Sequence, residues 1–343
     1  GASVNAGGGT NASGFGGRAL AEDLALVLDI LSDMVMRPHF PATEIERLRS
    51  QLVMGLRESE QETRTQASRA ARELLFPADH PYSRLSGGTI ETVSRITRDD
   101  LRDFHALYQP AASTIAIVGD VQPSAVLELL ERSFGAWHAE RPLPATELPP
   151  PNRIERIERR DIAMAGKTQS DVIWAVHGLP RTSPDYYAAA IGNMMLGRIG
   201  LGGRLGENVR ERQGLAYYCG SSLDADLYAG PWAALAGINP ANVERTIAAI
   251  VHEVAHFLED GPTDQELSDT RDYMTGSTVL GLETNDGIAA TLLGIERYNL
   301  GLDYIDRYPS IIRSVTPEQI VEVARRYLST ERYVVTVAGP GAP

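Results

Sequence analysis

Thr97-Arg-Asp-Asp-Leu101 opens a helix pattern that ends near Tyr108, and Ser113-Thr-Ile-Ala-Ile-Val118 follows as a strand pattern closed by Gly119. The same order returns near the other end of the chain. There Thr316-Pro-Glu-Gln-Ile320 opens a helix to Tyr327, and Tyr333-Val-Val-Thr-Val337 leads to Gly339. In both copies an N-cap threonine precedes carboxylates in the first turn, where unpaired N–H groups and the helix dipole favour them. Upstream, Phe40-Pro-Ala-Thr-Glu44-Ile45 precedes a long helix bearing Arg49, and Gly261-Pro-Thr-Asp-Gln-Glu266-Leu267 precedes one bearing Arg271. Each is preceded in turn by an amphipathic helix, at 20–36 and at 243–258. Self-similarity in fixed order marks a duplicated unit.

The duplication predicts an α+β fold of two homologous lobes, each a mostly antiparallel sheet covered by helices. Residues 1–140 make the first lobe, read as short of its N-terminal strand and helix. Residues 141–152 form a proline-rich linker containing Pro149-Pro150-Pro151, expected to be extended and exposed. Residues 153–343 make the second lobe. Within it Ser170 to Val176 reads as a buried strand and Asp185 to Leu196 as a helix, while 215–225 and 230–238 alternate as adjacent strands. Helices are expected on one face of that sheet. Residues 1–17, rich in Gly, Asn, Ser and Ala with a faint strand alternation, read as the interior of a larger chain.

A length of 343 residues leaves room for two cores, at about 100–200 residues per domain. The net charge of −13 argues against binding a phosphate backbone, so no nucleic-acid partner is expected. No apolar run is long enough to cross a bilayer, and no targeting segment gives an address. Cys219 stands alone, which excludes a disulfide framework and a cysteine metal cluster. Lys167 is the only lysine and carries no specific functional signal.

His252-Glu253-Val254-Ala255-His256 is a literal HExxH, which on a helix sets two imidazoles on one face beside a carboxylate. Two features weigh against a zinc site. Val243, Ile247, Val251, Val254 and Leu258 define a buried stripe, which turns both histidines toward solvent. Aligning the copies sets Ser32 opposite His252 and Met36 opposite His256, so the motif falls on what reads as a surface position. Glu266, a possible third ligand, lies beyond a Gly261-Pro262 break. Gly166-Lys167-Thr168 ends like a phosphate loop but has Asp161 where the first glycine belongs, and the cluster from Gly197 to Gly206 lacks a GxGxxG frame. His80, in the turn His80-Pro81-Tyr82, and His105, on a helix, read as structural or exposed.

The segment from Gly202 to Tyr217 differs from these. A short helix bearing Arg210 runs into Gly214, suited to a C-terminal cap, and then into a strand near Leu215. Arg210 and Tyr217 can therefore converge, and a guanidinium with a phenol supplies donors for a peptide carbonyl or its oxyanion. The alternative is that Arg210 pairs with a nearby carboxylate and Tyr217 fills the core.

Arg204-Leu205, Val209-Arg210 and Gly214-Leu215-Ala216-Tyr217 closely resemble the second-lobe signature of the insulinase/pitrilysin family of zinc metallopeptidases. Phe40-Pro41 with Glu44, His80-Pro81-Tyr82, Gly87-Gly88, and Asp100-Leu101 through Gly119-Asp120 resemble it as well. The resemblance implies that Arg210 and Tyr217 hold substrate and stabilise the transition state across a closed chamber, acting on zinc carried by another lobe. The family's inverted HxxEH is absent. Its third zinc ligand would fall near Gly55, between Val53 and Leu56, with Glu58 and Glu60 out of register.

By that resemblance the chain is expected to be the non-metal half of a zinc endopeptidase. It would hold no cofactor, and zinc would sit in a homologous partner half, either in the same polypeptide or as the other subunit of a heterodimer. Unfolded peptides are the expected substrates, enclosed and paired with a sheet edge, and the chain alone should be inactive. Two alternatives stay open: a structural or assembly subunit without catalysis, and a true zincin through His252 and His256.

Overall fold

The computed structural model describes residues 1–144 and 146–341. In chain order a hairpin of β1 (Ser3–Gly8) and β2 (Ser13–Arg18) is followed by α1 (Leu24–Met36), α2 (Ala42–Ser59) and α3 (Thr63–Leu75). Next come α4 (Ile90–Arg95), α5 (Arg98–His105) and α6 (Pro123–Phe134). After the proline-rich stretch lie β3 (Glu158–Ala163), β4 (Ser170–His177), α7 (Tyr186–Asn193), β5 (Ala216–Ala225) and β6 (Ala229–Ile238). The chain closes with α8 (Val243–Asp260), α9 (Asp264–Gly281), α10 (Asn285–Arg297), α11 (Tyr304–Ser314), α12 (Pro317–Tyr327) and β7 (Val334–Gly339).

These elements gather into two compact units that interleave along the chain. Unit 1 takes Gly1–Leu56, Ser86–Glu147 and Gly281–Leu302; unit 2 takes Arg57–Leu85, Leu148–Leu280 and residues 303–341.

Unit 2 is built on a five-stranded sheet in the order β3-β7-β4-β6-β5, antiparallel throughout except for the parallel pair β3–β7. The fold is α+β, as the sequence implied. Every residue of β4 from Ser170 to Val176 is buried, which requires cover on both faces. Val172, Trp174 and Val176 point into a core shared with Ile191, Ile250 and Ile320. Ile173 and Ala175 point the other way, into a second core with Ala67, Ala71 and Leu75 of α3. The expectation of helices on one face is thus corrected: α3 covers the second face, and Thr336 Oγ1 ties it to β7 by donating to the Ala67 carbonyl at 2.7 Å.

Unit 1 carries the β1–β2 hairpin, paired from Ser3↔Arg18 to Gly8↔Ser13. A side chain at Gly17 would collide with Val27, so glycine there lets α1 lie close on the hairpin. Residues 113–118, expected as a strand, join no ladder. In the second copy the matching strand, β7, pairs with β3 and β4. Without neighbours to exchange N–H and C=O bonds, an extended segment is not a strand.

The internal parallel extends to hydrogen bonds. Arg49 of α2 donates to the Ile96 carbonyl at 2.6 Å and also to that of Val93. Arg271 of α9 donates to the Val315 carbonyl at 2.6 Å. Ile96 and Val315 each precede a capping-box threonine: Thr97 reciprocates with Asp100, and Thr316 with Gln319. In each copy the arginine of a long helix therefore fixes the entry into the following one.

The buried face of α8 is Thr246, Ala249, Ile250, Glu253, Val254 and Phe257, about one residue round from the stripe read from the sequence. Val243, Ile247, Val251 and Leu258 pack along its margin. Ser32 also departs from expectation, being buried at 2% exposure, so its position in the repeat is not a surface one.

Candidate functional site

The segment from Met194 to Tyr217 leaves α7 and returns as β5. It winds as a wide π turn at Met194–Arg198, a 3-10 turn at Gly200–Gly202 and a second π turn at Gly206–Arg212. Glycines let it lie directly on β5. A Cβ on Gly197 would stand 2.6 Å from the Ser221 nitrogen, one on Gly203 would stand 2.7 Å from the Gly197 Cα, and one on Gly220 would stand 3.0 Å from the Gly197 oxygen. That is why the cluster carries glycines without any nucleotide motif. Leu205 and Val209, with no exposed surface, anchor the segment in the main core.

Arg204 fastens it from the other side. Its Nε and Nη2 reach the two Glu266 oxygens at 2.6 and 2.8 Å, and Nη2 also donates to the Gly261 carbonyl at 2.6 Å. The guanidinium lies 5.1 Å above the Phe257 ring. Glu266 closes a capping box with Thr263 at the start of α9, accepting from the Thr263 N–H at 2.8 Å. Burial pushes its carboxyl up, but the Arg204 and Thr263 donors outweigh that and leave it below the usual range.

Arg210 and Tyr217 stand on either side of the reversal. The Gly214 N–H donates to the Arg210 carbonyl at 3.1 Å, and the Leu215 N–H to that of Val209 at 3.0 Å. Gly214 has φ +61° with open space about it, so glycine serves conformation there and not packing. The Arg210 side chain is 41% exposed with Nε 3.6 Å from Glu211, and Tyr217 is 61% exposed. Tyr217 therefore does not fill the core; its neighbour Tyr218 turns inward.

Sequence reasoning passed over the cluster that Tyr218 joins. Asp171, 1% exposed, accepts from Thr63 Oγ1 at 2.5 Å, from Gln169 Nε2 at 3.2 Å and from the Tyr218 hydroxyl. Burial and the Asp171 carboxylate push the Tyr218 phenol well up. The available signal was a lone acid at the head of the apolar run Val172–Val176, which must find donors when buried.

The HExxH residues diverge. His252 and His256 are exposed, whereas Glu253 is buried and accepts from Asn208 Nδ2. His256 Nε2 lies 3.0 Å from Asp260, and Glu266 is engaged by Arg204. Among the described residues no three His, Cys, Asp or Glu side chains gather so as to hold a metal. The residues present do not fit zinc. His105 Nε2 lies 2.6 Å from the Val35 carbonyl, and buried His80 caps the turn Pro81–Ser83.

Residues 95–274, just over half of the chain, match the family model described as the peptidase M16 inactive domain. The chain belongs to that family. The crystal structure of a peptidase M16 inactive domain from Pseudomonas fluorescens superposes with a TM-score of 0.90 at 28% identity, covering 99% of this chain and 82% of that one. An uncharacterised zinc protease of Streptomyces coelicolor is 29% identical over 333 residues, or 94% of this chain and 71% of that protein. A Helicobacter pylori protein named a non-peptidase homolog is 23% identical over 279 residues, or 77% of this chain and 62% of that protein. The relatives of this chain thus include proteins named zinc proteases and one named a non-peptidase homolog. Among the described residues of this M16 chain, no helix is long and apolar enough to cross a membrane.

Proposed function

We propose that this M16 chain is the zinc-free half of a metalloendopeptidase. It closes a chamber over an unfolded peptide and presents Arg210 and Tyr217 to the reaction centre of a zinc-bearing homologous half. The observation that carries this reading is the reversal at Gly214. It fixes main chain firmly while leaving a part-exposed guanidinium and an exposed phenol, an arrangement that packing does not call for. Preorganised donors of this kind stabilise developing negative charge. The partner half would belong to the same polypeptide or to a heterodimer, and a metal held there would supply an activated water. The proposed lobes are the duplicated copies 1–140 and 153–343 about the 141–152 linker, supported by the matched Arg49 and Arg271 bonds.

The test is reconstitution. The chain alone should not cleave an unfolded peptide, the cognate zinc half should restore cleavage, and Arg210→Ala should then lower kcat about 100-fold, the scale of losing one oxyanion donor. Unchanged turnover in Arg210→Ala would remove the assigned role. A second reading, an assembly subunit without catalysis, draws support from the non-peptidase homolog of Helicobacter pylori. It requires that the partner cleave equally well with and without this chain.

A further inference from the structure

We propose that His177, coupled to His80 across the Phe76 ring, is a proton-released latch on Asn152, in the segment that leads from the proline-rich stretch into unit 2. Asn152 is held there at three points. Its N–H donates to the Leu75 carbonyl at 2.9 Å, its Nδ2 donates to the Leu74 carbonyl at 2.9 Å, and its own carbonyl lies 2.8 Å from His177 Nε2.

The hydrogen bonds fix both tautomers. A carbonyl only accepts, so His177 Nε2 carries its hydrogen and Nδ1 keeps a bare lone pair. That Nδ1 is buried and has no hydrogen-bond partner among the described residues. His80 Nδ1 accepts from the Tyr82 N–H at 3.0 Å, so its hydrogen also sits on Nε2. A second proton on either ring must go to Nδ1. On His177 it would be a buried cationic N–H with no acceptor; on His80 it would confront a donor and remove the cap of the turn Pro81–Ser83.

The two rings flank Phe76, with centroids 4.7 Å (His80) and 5.5 Å (His177) from its own, so two cations there would also repel each other. Among facing charged and titratable groups, Asp79 favours the His80 cation. Arg72 reaches the Tyr82 carbonyl and is paired with Asp224 at 2.9 Å, and the Tyr82 and Tyr228 phenols complete the surround. Burial lowers both histidines, outweighing Asp79 at His80 and the Asn152 bond at His177.

Above the ordinary histidine value of 6.5 neither the closed nor the released form takes a proton, and the latch is indifferent to pH. Below it the released form takes up protons that the closed form refuses. Release should then rise about tenfold per pH unit for each histidine freed.

The experiment is hydrogen exchange at the Asn152 amide of the whole chain, from about pH 7.5 to about pH 5, with the intrinsic rate divided out. Opening should increase several-fold between pH 6.5 and 5.5, by up to about fivefold for each histidine freed. The double variant His80→Asn with His177→Gln keeps the Nδ1 acceptor and the Nε2 donor but cannot titrate, and should abolish the increase. A flat wild-type profile overturns the latch, as does an increase that survives in the double variant. Should that variant not fold, an NMR titration of the wild type decides. Midpoints below 6.5 that coincide with loss of Asn152 protection support the latch, and midpoints at or above 6.5 with protection intact overturn it.

Discussion

Arg204 and Glu266 grip each other through two hydrogen bonds, 2.6 and 2.8 Å long, with the arginine side chain only 9% exposed. The pair joins the arginine-bearing turn to the first turn of α9. It also engages the carboxylate that the sequence offers as a third ligand beside the HExxH. Arg204→Ala strands a half-buried carboxylate and should cost about 3 kcal/mol in urea unfolding. Because the folded Glu266 carboxyl is depressed, its contribution is complete above about pH 4.5 and is lost as the pH falls below that. The loss in Arg204→Ala should accordingly shrink at pH 4 and below.

Gly203→Ala should destabilise by about 1–3 kcal/mol, because the new methyl meets main chain that cannot rotate away. Gly55→Ala should do the opposite. It lies inside α2 with nothing within 4 Å of the new atom, and should stabilise by about 0.5–1 kcal/mol. Thermal unfolding of the two variants reads both signs.

Arg210→Ala and Tyr217→Phe touch exposed groups and should leave stability within about 0.5 kcal/mol of wild type. Their effect belongs to the reconstituted enzyme. A large loss of stability in either would mark it as structural.

Asp171→Ala removes the acceptor shared by Thr63, Gln169 and the Tyr218 hydroxyl. Leaving those donors unsatisfied in a buried site should cost about 3 kcal/mol. Tyr218 absorbance adds a second readout: without the carboxylate, its phenol should ionise at lower pH than in wild type.

His252→Ala should change neither zinc content nor stability, since the ring is solvent-exposed. Elemental analysis after dialysis should find near-zero zinc in both proteins. Stoichiometric zinc lost on mutation would revive the zincin alternative.

Local rules carried much of the fold. N-cap threonines at 97 and 316, the apolar run Val172–Val176 of β4, and the strand patterns of β5 and β6 are decided by neighbours in sequence, and each element formed where expected. Errors arose where a residue's fate depends on distant chain. Residues 113–118 have strand propensity but no partner. The face of α8 was misplaced by one residue because Glu253, polar by type, turns inward to meet Asn208. Periodicity cannot foresee that α3, from the first half of the sequence, lies across the sheet of unit 2. Within the site, Arg210, Gly214 and Tyr217 were legible as a helix–turn–strand. The Asp171 cluster was not, because its members come from positions 63, 169, 171 and 218.

Gly197, Gly203 and Gly220 form a seam of main chain against main chain beneath the arginine-bearing turn. Side-chain contacts can re-pack by changing rotamer, but such a seam has no adjustable parts. Exchanges among Leu, Ile and Val in the surrounding core therefore do not propagate to the turn as displacement. The turn's position is thus set by Gly197, Gly203 and Gly220 more than by the rotamers around them.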